Sequence, residues 1–484
     1  MTLLSISRCI SFWAGRKGAS PAITCGDESI GWRELEERSN RLARHYQSLG
    51  LGRGDFATIV LPNGIEFYCA AIAVWKLGAT PQPISCHAPL VEQCALLELG
   101  QPKLVIGWSH AQPPHGVATV PPGFATPDLS AEPLPDIVAD KWKALASGGS
   151  TGRPKLIVSI APGRFDPLDP SYLMEPEDVM LASGPLYHNA SFMFSMHALF
   201  CGAHVIVMPR FDPAEALALI DRHGVTWALL VPTMMHRIWM LPPEVREGHS
   251  VKSLRIVLHT GAACPAWLKQ CWIDWVGPEV LQEGYGGTEG CGAHWISGTE
   301  WLAHRGSVGR SQEGFDVRVA GSSGEILPPG EIGEIWSRPR SGPGSTYEYR
   351  GGQSRRDADG YESIGDMGYL DAEGYLYLAD RRTDLIVSGG ANIYPAEVEA
   401  QIDSYPGVRA SAVIGLPDMD MGAIPHAIVE AGAGLDVDEL RGHLAVRLSR
   451  NKIPRSFEIV DGPLKDEAGK LRRSALRAAR IEQG

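Results

Sequence analysis

Residues 147–155 read SGGSTGRPK, and what this run can hold decides how the rest of the chain is read. Glycine has no Cβ, so Gly148, Gly149 and Gly152 let the backbone aim several N–H groups at one anion. Ser147, Ser150 and Thr151 add hydroxyl donors, and Lys155 adds a positive charge. Phosphate suits such a cradle. Pro154 withdraws one amide and discourages a helix from starting at once. The spacing is neither GxxxxGK[ST] nor GxGxxG after a strand, so neither a P-loop fold nor a Rossmann cofactor site is indicated. As local structure alone, the run reads as a hairpin turn joining WKALAS to KLIVS.

Around this run lies an ordinary globular composition: 484 residues, 44% hydrophobic and 21% charged, enough for more than one core and too apolar for wholesale disorder. A net charge of −12 argues against broad nucleic-acid or anionic-membrane binding. The nine cysteines contain no CxxC pair, so neither a disulfide framework nor a zinc site is expected. The most apolar stretch, Ser191 to Met208, is broken by His197, Gly202 and His204 and lacks the run of about 20 residues that a membrane span needs. The start of the chain lacks a signal-peptide pattern, so a cytoplasmic protein is expected.

Trp32, Leu35, Leu42, Ala43, Tyr46 and Leu49 recur at helical spacing, and Gly50, Gly52 and Gly54 end the pattern before the strand-like FATIVL at 56–61. Phe67, Ala70, Ala71, Val74 and Trp75 repeat the helix after Asn63-Gly64. Further strands are expected at Leu104 to Ile106, His204 to Met208, Trp227 to Val231 and Leu254 to His259. This alternation predicts an α/β fold with many parallel strands. Residues 109–140 are proline-rich and aperiodic, which suggests a surface excursion. Beyond Val308 the texture turns to short β pieces (GFDVRVA, GEIGEIWSR, GYLYLAD), predicting an antiparallel β subdomain. A small α+β unit is expected from Arg381, with amphipathic stretches at Ala396 to Ile402 and Val437 to Leu448, strands at Ala412 to Ile414 and Ala427 to Val429, and a basic final stretch from Arg441.

Further motifs follow SGGSTGRPK in order: PLYHN at 185–189, YGGTE at 285–289, IGDMGYLD at 364–371, DRRTDLIVSGGANIYPAEVE at 380–399 and EAGKLRR at 467–473. Together they resemble the adenylate-forming superfamily of acyl-CoA synthetases, luciferases and peptide-synthetase adenylation domains, over nearly the whole chain. The resemblance implies a large N-terminal lobe (1–380) that binds ATP and the acyl substrate, and a small mobile C-terminal domain (381–484) that carries a catalytic lysine.

By that resemblance, 147–155 hold the ATP β,γ-phosphates, Tyr285 faces the adenine, Gly286 lets the nucleotide approach, and Thr288 lies near the α-phosphate. Glu289, with Thr151, is the expected Mg²⁺ ligand, a hard oxygen donor suited to that ion. Gly261, Ala262 and Ala263 in TGAAC form the backbone strip on the other face of adenine. Asp366 accepts from the ribose hydroxyls, and Arg381 approaches the same sugar. Ile364 stands where the family usually has threonine, so one hydroxyl is lost. Lys470 resembles the lysine that bridges the substrate carboxylate and the α-phosphate, and His188 the residue beside that carboxylate. Thr383 takes the hinge position where relatives carry lysine or aspartate. Gly389 and Gly390 resemble the border of the pantetheine tunnel.

Amino-acid-activating relatives place an aspartate where this chain reads GPLYHNASFMF, so an acid without an α-amino group is expected. Ser191, Phe192, Met193, Phe194 and Met196 are expected to line an apolar acyl pocket, although a packed helix would carry the same residues. SGGSTGRPK with PLYHN looks closest to bile-acid, steroid and terpenoid-acid CoA ligases, which implies a bulky alicyclic acid. Coenzyme A is the expected acceptor. The alternatives are an enzyme that loads a separate carrier protein and an inactive ligand-binding regulator, the latter disfavoured by the presence of Glu289, Asp366 and Lys470.

Overall fold

The computed structural model describes residues 3–110, 116–126, 128–148, 154–169, 171–381, 384–388, 391–418, 421–432, 434–448, 450, 452–466 and 469–481. Gly149, Ser150, Thr151, Gly152, Thr383, Gly389 and Gly390 lie outside the described residues, as do the side chains of Ser147 and Arg381.

The helical spacing from Trp32 folds as the helix Trp32–Ser48, which buries Trp32, Leu35, Leu42, Ala43 and Tyr46. It packs on the helix Ile65–Lys76, which is buried along almost its entire length. These helices lie beside a parallel four-stranded sheet with the order Thr80–Pro83, Phe56–Ile59, Leu104–Ile106, Ala118–Val120. The last strand falls within 109–140, where the sequence suggested only an excursion. It has three residues and one neighbour, too short to leave a periodic trace.

Among the described residues, a second, 15-stranded sheet dominates the molecule. Its parallel half runs Pro21–Cys25, His204–Val207, Val179–Ala182, Trp227–Leu230, Ile256–His259, Leu281–Gly286. The chain then reverses at Gly286–Gly292, and Ala293–Ser297 pairs antiparallel with Leu281–Gly286. Ser307–Ser311, Tyr375–Arg381, Asp366–Leu370 and Gly333–Pro339 extend that edge, all antiparallel. The antiparallel texture beyond Val308 was read correctly, but it is a continuation of the main sheet rather than a subdomain with a sheet of its own.

The C-terminal part has a separate core of Ile386, Ile393, Val398, Ile402, Val408, Val413, Val429, Leu440 and Leu444. Its strands Val408–Asp418 and Gly422–Ala431 pair antiparallel, and Ser456–Val460 joins Gly422–Ala431 in parallel. The last helix, Arg473–Ile481, buries no residue. Its arginines hold it in place: Arg473 pairs with Asp384 at 2.9 Å and Glu399 at 2.6 Å, and Arg480 with Glu458 at 2.6 Å. Those basic residues are therefore staples as well as surface charges. No helix among the described residues is long and apolar enough to cross a membrane.

One buried ion pair supports the centre of the main sheet. The Lys269 ammonium donates to Glu283 Oε2 at 2.5 Å, under the face of Trp301 and beside His259. Removing one member strands a charge in a dry site, which costs about 3–5 kcal/mol. Glu283→Ala is therefore expected to lower the unfolding midpoint sharply, and the double variant Lys269→Met/Glu283→Gln to recover most of the loss. Chemical denaturation with one probe for each core checks both.

Candidate active site

The predicted hairpin exists: Ala144–Gly148 and Pro154–Ser159 pair antiparallel, with Ser147 opposite Lys155 and Gly148 opposite Pro154. The hairpin and phosphate-loop readings of SGGSTGRPK are thus compatible, since a loop at a hairpin tip can offer its amides while its base stays in a sheet. Tyr347–Arg350 adds a third strand to this hairpin.

That strand contributes a residue that motif reading missed. Tyr349 Oη donates to Glu289 Oε1 at 2.6 Å and accepts from Lys155 Nζ at 2.8 Å, while Lys155 Nζ lies 3.3 Å from the same carboxylate oxygen. Burial and the charge of Glu289 raise the Tyr349 hydroxyl far above its ordinary range, so it remains a donor. The base of the glycine loop and the end of YGGTE are therefore joined. A regular alternation in TYEYR was the only available signal, and it marks a strand without marking its partner.

On the same turn, Tyr285 Oη donates to Asp366 Oδ2 at 2.7 Å. Asp366 opens a strand whose first backbone pair is Asp366 opposite Arg381. Gly287 has no room for a side chain: an added Cβ would meet Glu289 Oε2 at 2.7 Å and Ile364 Cδ1 at 3.0 Å. Ile364, like Tyr349, packs against the small apolar cluster of Ile157, Cys291 and Tyr347. Gly261 follows the strand Ile256–His259 with φ +88°, and 261–263 stay accessible at that strand's C-terminal end. Thr288 lies half-buried on the YGGTE turn.

His188 caps the helix Asn189–Cys201 at the C-terminal side of the strand Val179–Ala182. Asn63 fixes the preceding turn, donating to the carbonyls of Gly184 and Met208 at 3.0 and 3.1 Å and accepting from Leu186 N at 2.9 Å. In sequence, Asn63 shows only as the residue before Gly64, ahead of the second helical pattern. The His188 ring is pushed down to about 4, first by burial and then by the charges of Lys470 and Arg472, against the opposing effect of Asp466. It is a neutral imidazole near pH 7. Lys470 ends a tight turn in which its N–H donates to Asp466 Oδ1 at 2.9 Å. Gly469 in that turn has φ +74°, and a Cβ there would meet Thr233 Oγ1 at 2.8 Å. The turn thus rests on the N-terminal part, where the strand Trp227–Leu230 has just ended.

The apolar run in the same helix does not form a pocket as predicted. Ser191, Phe192, Phe194 and Met196 are buried, and the three apolar side chains belong to the main core. Only Asn189, Ala190, Met193 and His197 keep partial access. A lone helix pattern cannot tell pocket from core.

The pieces meet at the C-terminal ends of parallel strands, where open α/β sheets commonly bind ligands. Among the described residues no group of three or more His, Cys, Asp or Glu gathers as a metal cage. One buried carboxylate, Glu289, fits an ion such as Mg²⁺, which is commonly held by one or two carboxylates together with substrate phosphates.

This combination of sheet edge, glycine hairpin and docked C-terminal lysine turn defines an adenylate-forming enzyme. Residues 11–349 match the AMP-binding enzyme family and residues 397–470 its AMP-binding enzyme C-terminal domain, and the chain belongs to that family. It is an AMP-forming acid–thiol ligase working with ATP, Mg²⁺ and coenzyme A. The chain is 34% identical to a feruloyl-CoA synthase of an Amycolatopsis species, over 94% of this chain and 95% of that protein. It is 30% identical to a long-chain-fatty-acid–CoA ligase of Mycobacterium tuberculosis, over 93% of each. Its fold is similar to that of the o-succinylbenzoate CoA synthetase of Bacillus subtilis solved with its acyl-adenylate intermediate, with TM-score 0.85, 26% identity and 99% coverage of both chains.

Proposed function

We propose that the chain activates a ring-bearing carboxylic acid as its acyl adenylate and then transfers the acyl group to coenzyme A. The observation that carries this reading is the joining of Lys155, Tyr349 and Glu289 and of Tyr285 and Asp366 on one sheet edge, with Gly469 of the Lys470 turn packed close to Thr233. In the first step a carboxylate oxygen of the acid attacks the α-phosphorus of ATP, and the α–β bond breaks as pyrophosphate departs with the bonding pair. Two anions must meet for this. Lys470 screens the repulsion between them, while the neutral His188 can donate to the carboxylate without adding charge. In the second step the thiol sulfur of coenzyme A attacks the acyl carbon, its proton goes to solvent, and AMP leaves.

In this scheme Lys155 and the 147–152 loop hold the β,γ-phosphates, and Tyr285 with 261–263 enclose the adenine. Thr288 meets the α-phosphate, and Asp366 and Arg381 hold the ribose. Glu289, with Thr151, would hold Mg²⁺, which when bound withdraws charge from the phosphate oxygens. In this reading the two units divide at 380/381, next to the end of the strand Tyr375–Arg381 and ahead of the separate C-terminal core. Thr383 acts as the hinge, and Gly389 and Gly390 border the coenzyme A path.

The relatives named for feruloyl-CoA and o-succinylbenzoate favour a ring in the acid. The narrower steroid or terpenoid reading rests on SGGSTGRPK with PLYHN alone and becomes one arm of the test. Purified protein is screened with aryl, steroid, terpenoid and fatty acids, Mg-ATP and coenzyme A. Acid-dependent pyrophosphate and an acyl-CoA of the expected mass support the proposal. ADP release contradicts it, transfer only to a carrier protein redirects it, and acid binding without turnover marks a regulator.

Docking of the lysine turn can be tested separately. Gly469→Ala carries left-handed strain of about 1–2 kcal/mol and crowds Thr233, so the docked arrangement is expected to lose roughly 5–30-fold in occupancy. Adenylation should slow accordingly, while thioester formation from supplied acyl adenylate is retained. Single-turnover kinetics of each half-reaction check this.

A further inference from the structure

The turn that delivers His188 is held on both flanks by side chains from distant parts of the chain. On the N-terminal flank, Asn63 donates to Gly184 O at 3.0 Å and Met208 O at 3.1 Å and accepts from Leu186 N at 2.9 Å. Both kinds of group on one amide are engaged with backbone, which leaves it a single orientation. Gly184 and Leu186 bracket Pro185, whose carbonyl accepts from His188 N at 3.1 Å. Leu186 is buried in the main core, and a Cβ on Gly184 would collide with Ser191 Oγ, so the turn has no slack.

On the C-terminal flank, Lys143 Nζ donates to Oδ1 of Asn189, the residue directly after His188 and the first of its helix. Lys143 is 6% exposed, lies 4.6 Å from the centre of the Trp142 ring and has no carboxylate partner among the described residues. Burial pulls this amine down to about 7, and protonated or neutral it keeps an N–H for Asn189. A buried amine facing one neutral acceptor costs stability that an apolar side chain of similar volume would not. The His188 side chain makes no capping bond to its own helix.

The two holders link the turn to different parts of the site. Asn63 lies between the strand Phe56–Ile59 of the four-stranded sheet and the helix Ile65–Lys76. Lys143 belongs to the glycine hairpin: its carbonyl accepts from Ser159 N at 3.0 Å. It stands about 13 Å along the strand from Ser147, at the rise of about 3.3 Å per residue. One strand thus carries the tie to the His188 turn at its start and leads into the loop proposed to hold the ATP phosphates at its end.

We propose that Asn63 and Lys143 are positioning residues for acyl-adenylate formation, which fix the His188 turn against the glycine hairpin and so set the approach of the acid's carboxylate to the α-phosphorus. This rests on the ligase reading above. Neither side chain touches substrate, and both act through His188. Misplacement of reacting groups by about 1 Å can cost on the order of 10²-fold in rate, so loosening either tie slows adenylation without removing a reacting group.

The test uses Asn63→Asp, which keeps the shape but loses the two donors, and Lys143→Met, which keeps the volume but loses the tie. Each is made alone and with His188→Ala. Each single variant is expected to slow single-turnover acyl-adenylate formation by roughly tenfold or more, with thioester formation from supplied acyl adenylate much less affected. Added to His188→Ala, each should cost less than about threefold more, because residues that act through one group are not additive. The unfolding midpoint of Lys143→Met should hold or rise. The imidazole NMR resonance that is lost in His188→Ala should move in both single variants. Unchanged adenylation in both variants overturns the proposal, as does a loss equally large with and without His188, or an unmoved His188 resonance. A lowered midpoint with both half-reactions slowed equally does so too, since the ties would then be structural only. Absence of pyrophosphate release with every acid in the unsubstituted chain overturns the ligase reading instead, while the His188 resonance still reads the positioning.

Discussion

Lys470→Ala is expected to lower acid-dependent ATP–pyrophosphate exchange by about 10²–10³-fold, with thioester formation from supplied acyl adenylate much less affected. The size follows from removing one charge aimed at developing anionic oxygen, worth about 2.7–4 kcal/mol in a water-poor site. Lys470 lies on an exposed turn, so folding should be unaffected. A second readout needs no substrate. Lys470 helps hold the His188 ring at about 4, so its removal should move that titration upward, though burial, the larger cause, keeps it below the ordinary histidine range. Imidazole resonances followed by NMR against pH check the shift. Normal exchange rates together with an unmoved His188 would separate the lysine turn from the site.

Glu289→Ala is expected to be comparably severe, about 10²-fold or more in the adenylation rate, with a raised Mg²⁺ requirement. Its carboxylate is buried, faces Lys155 at 3.3 Å and accepts from Tyr349 at 2.6 Å. Loss of the carboxylate removes the proposed metal ligand and leaves Lys155 without its ion-pair partner. Tyr349→Phe separates the two effects, since it deletes the bridge and keeps the ligand. Its expected loss is within about tenfold, the worth of one or two hydrogen bonds. Steady-state rates across a Mg²⁺ titration check both variants, and a Glu289→Ala enzyme with unchanged Mg²⁺ dependence would dismiss the ligand role.

Most of the site motifs could be read in sequence because their chemistry is local. A loop of Gly148, Gly149 and Gly152 means accessible amides whatever surrounds it, and Asp366 or Lys470 keeps its charge in any fold. What connects them could not be read. Tyr349 and Asn63 sit in unremarkable local patterns, a strand alternation and a breaker, and gain their roles from partners far along the chain. The apolar run after His188 erred for the same reason: helical spacing names a face without saying whether core or cavity lies opposite.

The antiparallel half shows the division clearly. Gly, Val and Trp alternation around 314–338 was enough to call strands, since a half-buried strand repeats every second residue. Whether those strands closed a sheet of their own or extended another depended on the reversal at 286–292, which lays Ala293–Ser297 along Leu281–Gly286. Amino-acid order alone thus settled the fold class and the family, because propensity, periodicity and the order of local motifs act over a few residues. Folding in three dimensions settled which helix face stays open, that Lys155 meets Glu289 through Tyr349, and that Lys143 is buried without a counter-ion. Those outcomes depend on burial and on contacts between distant segments, which exist only once the sheets have assembled.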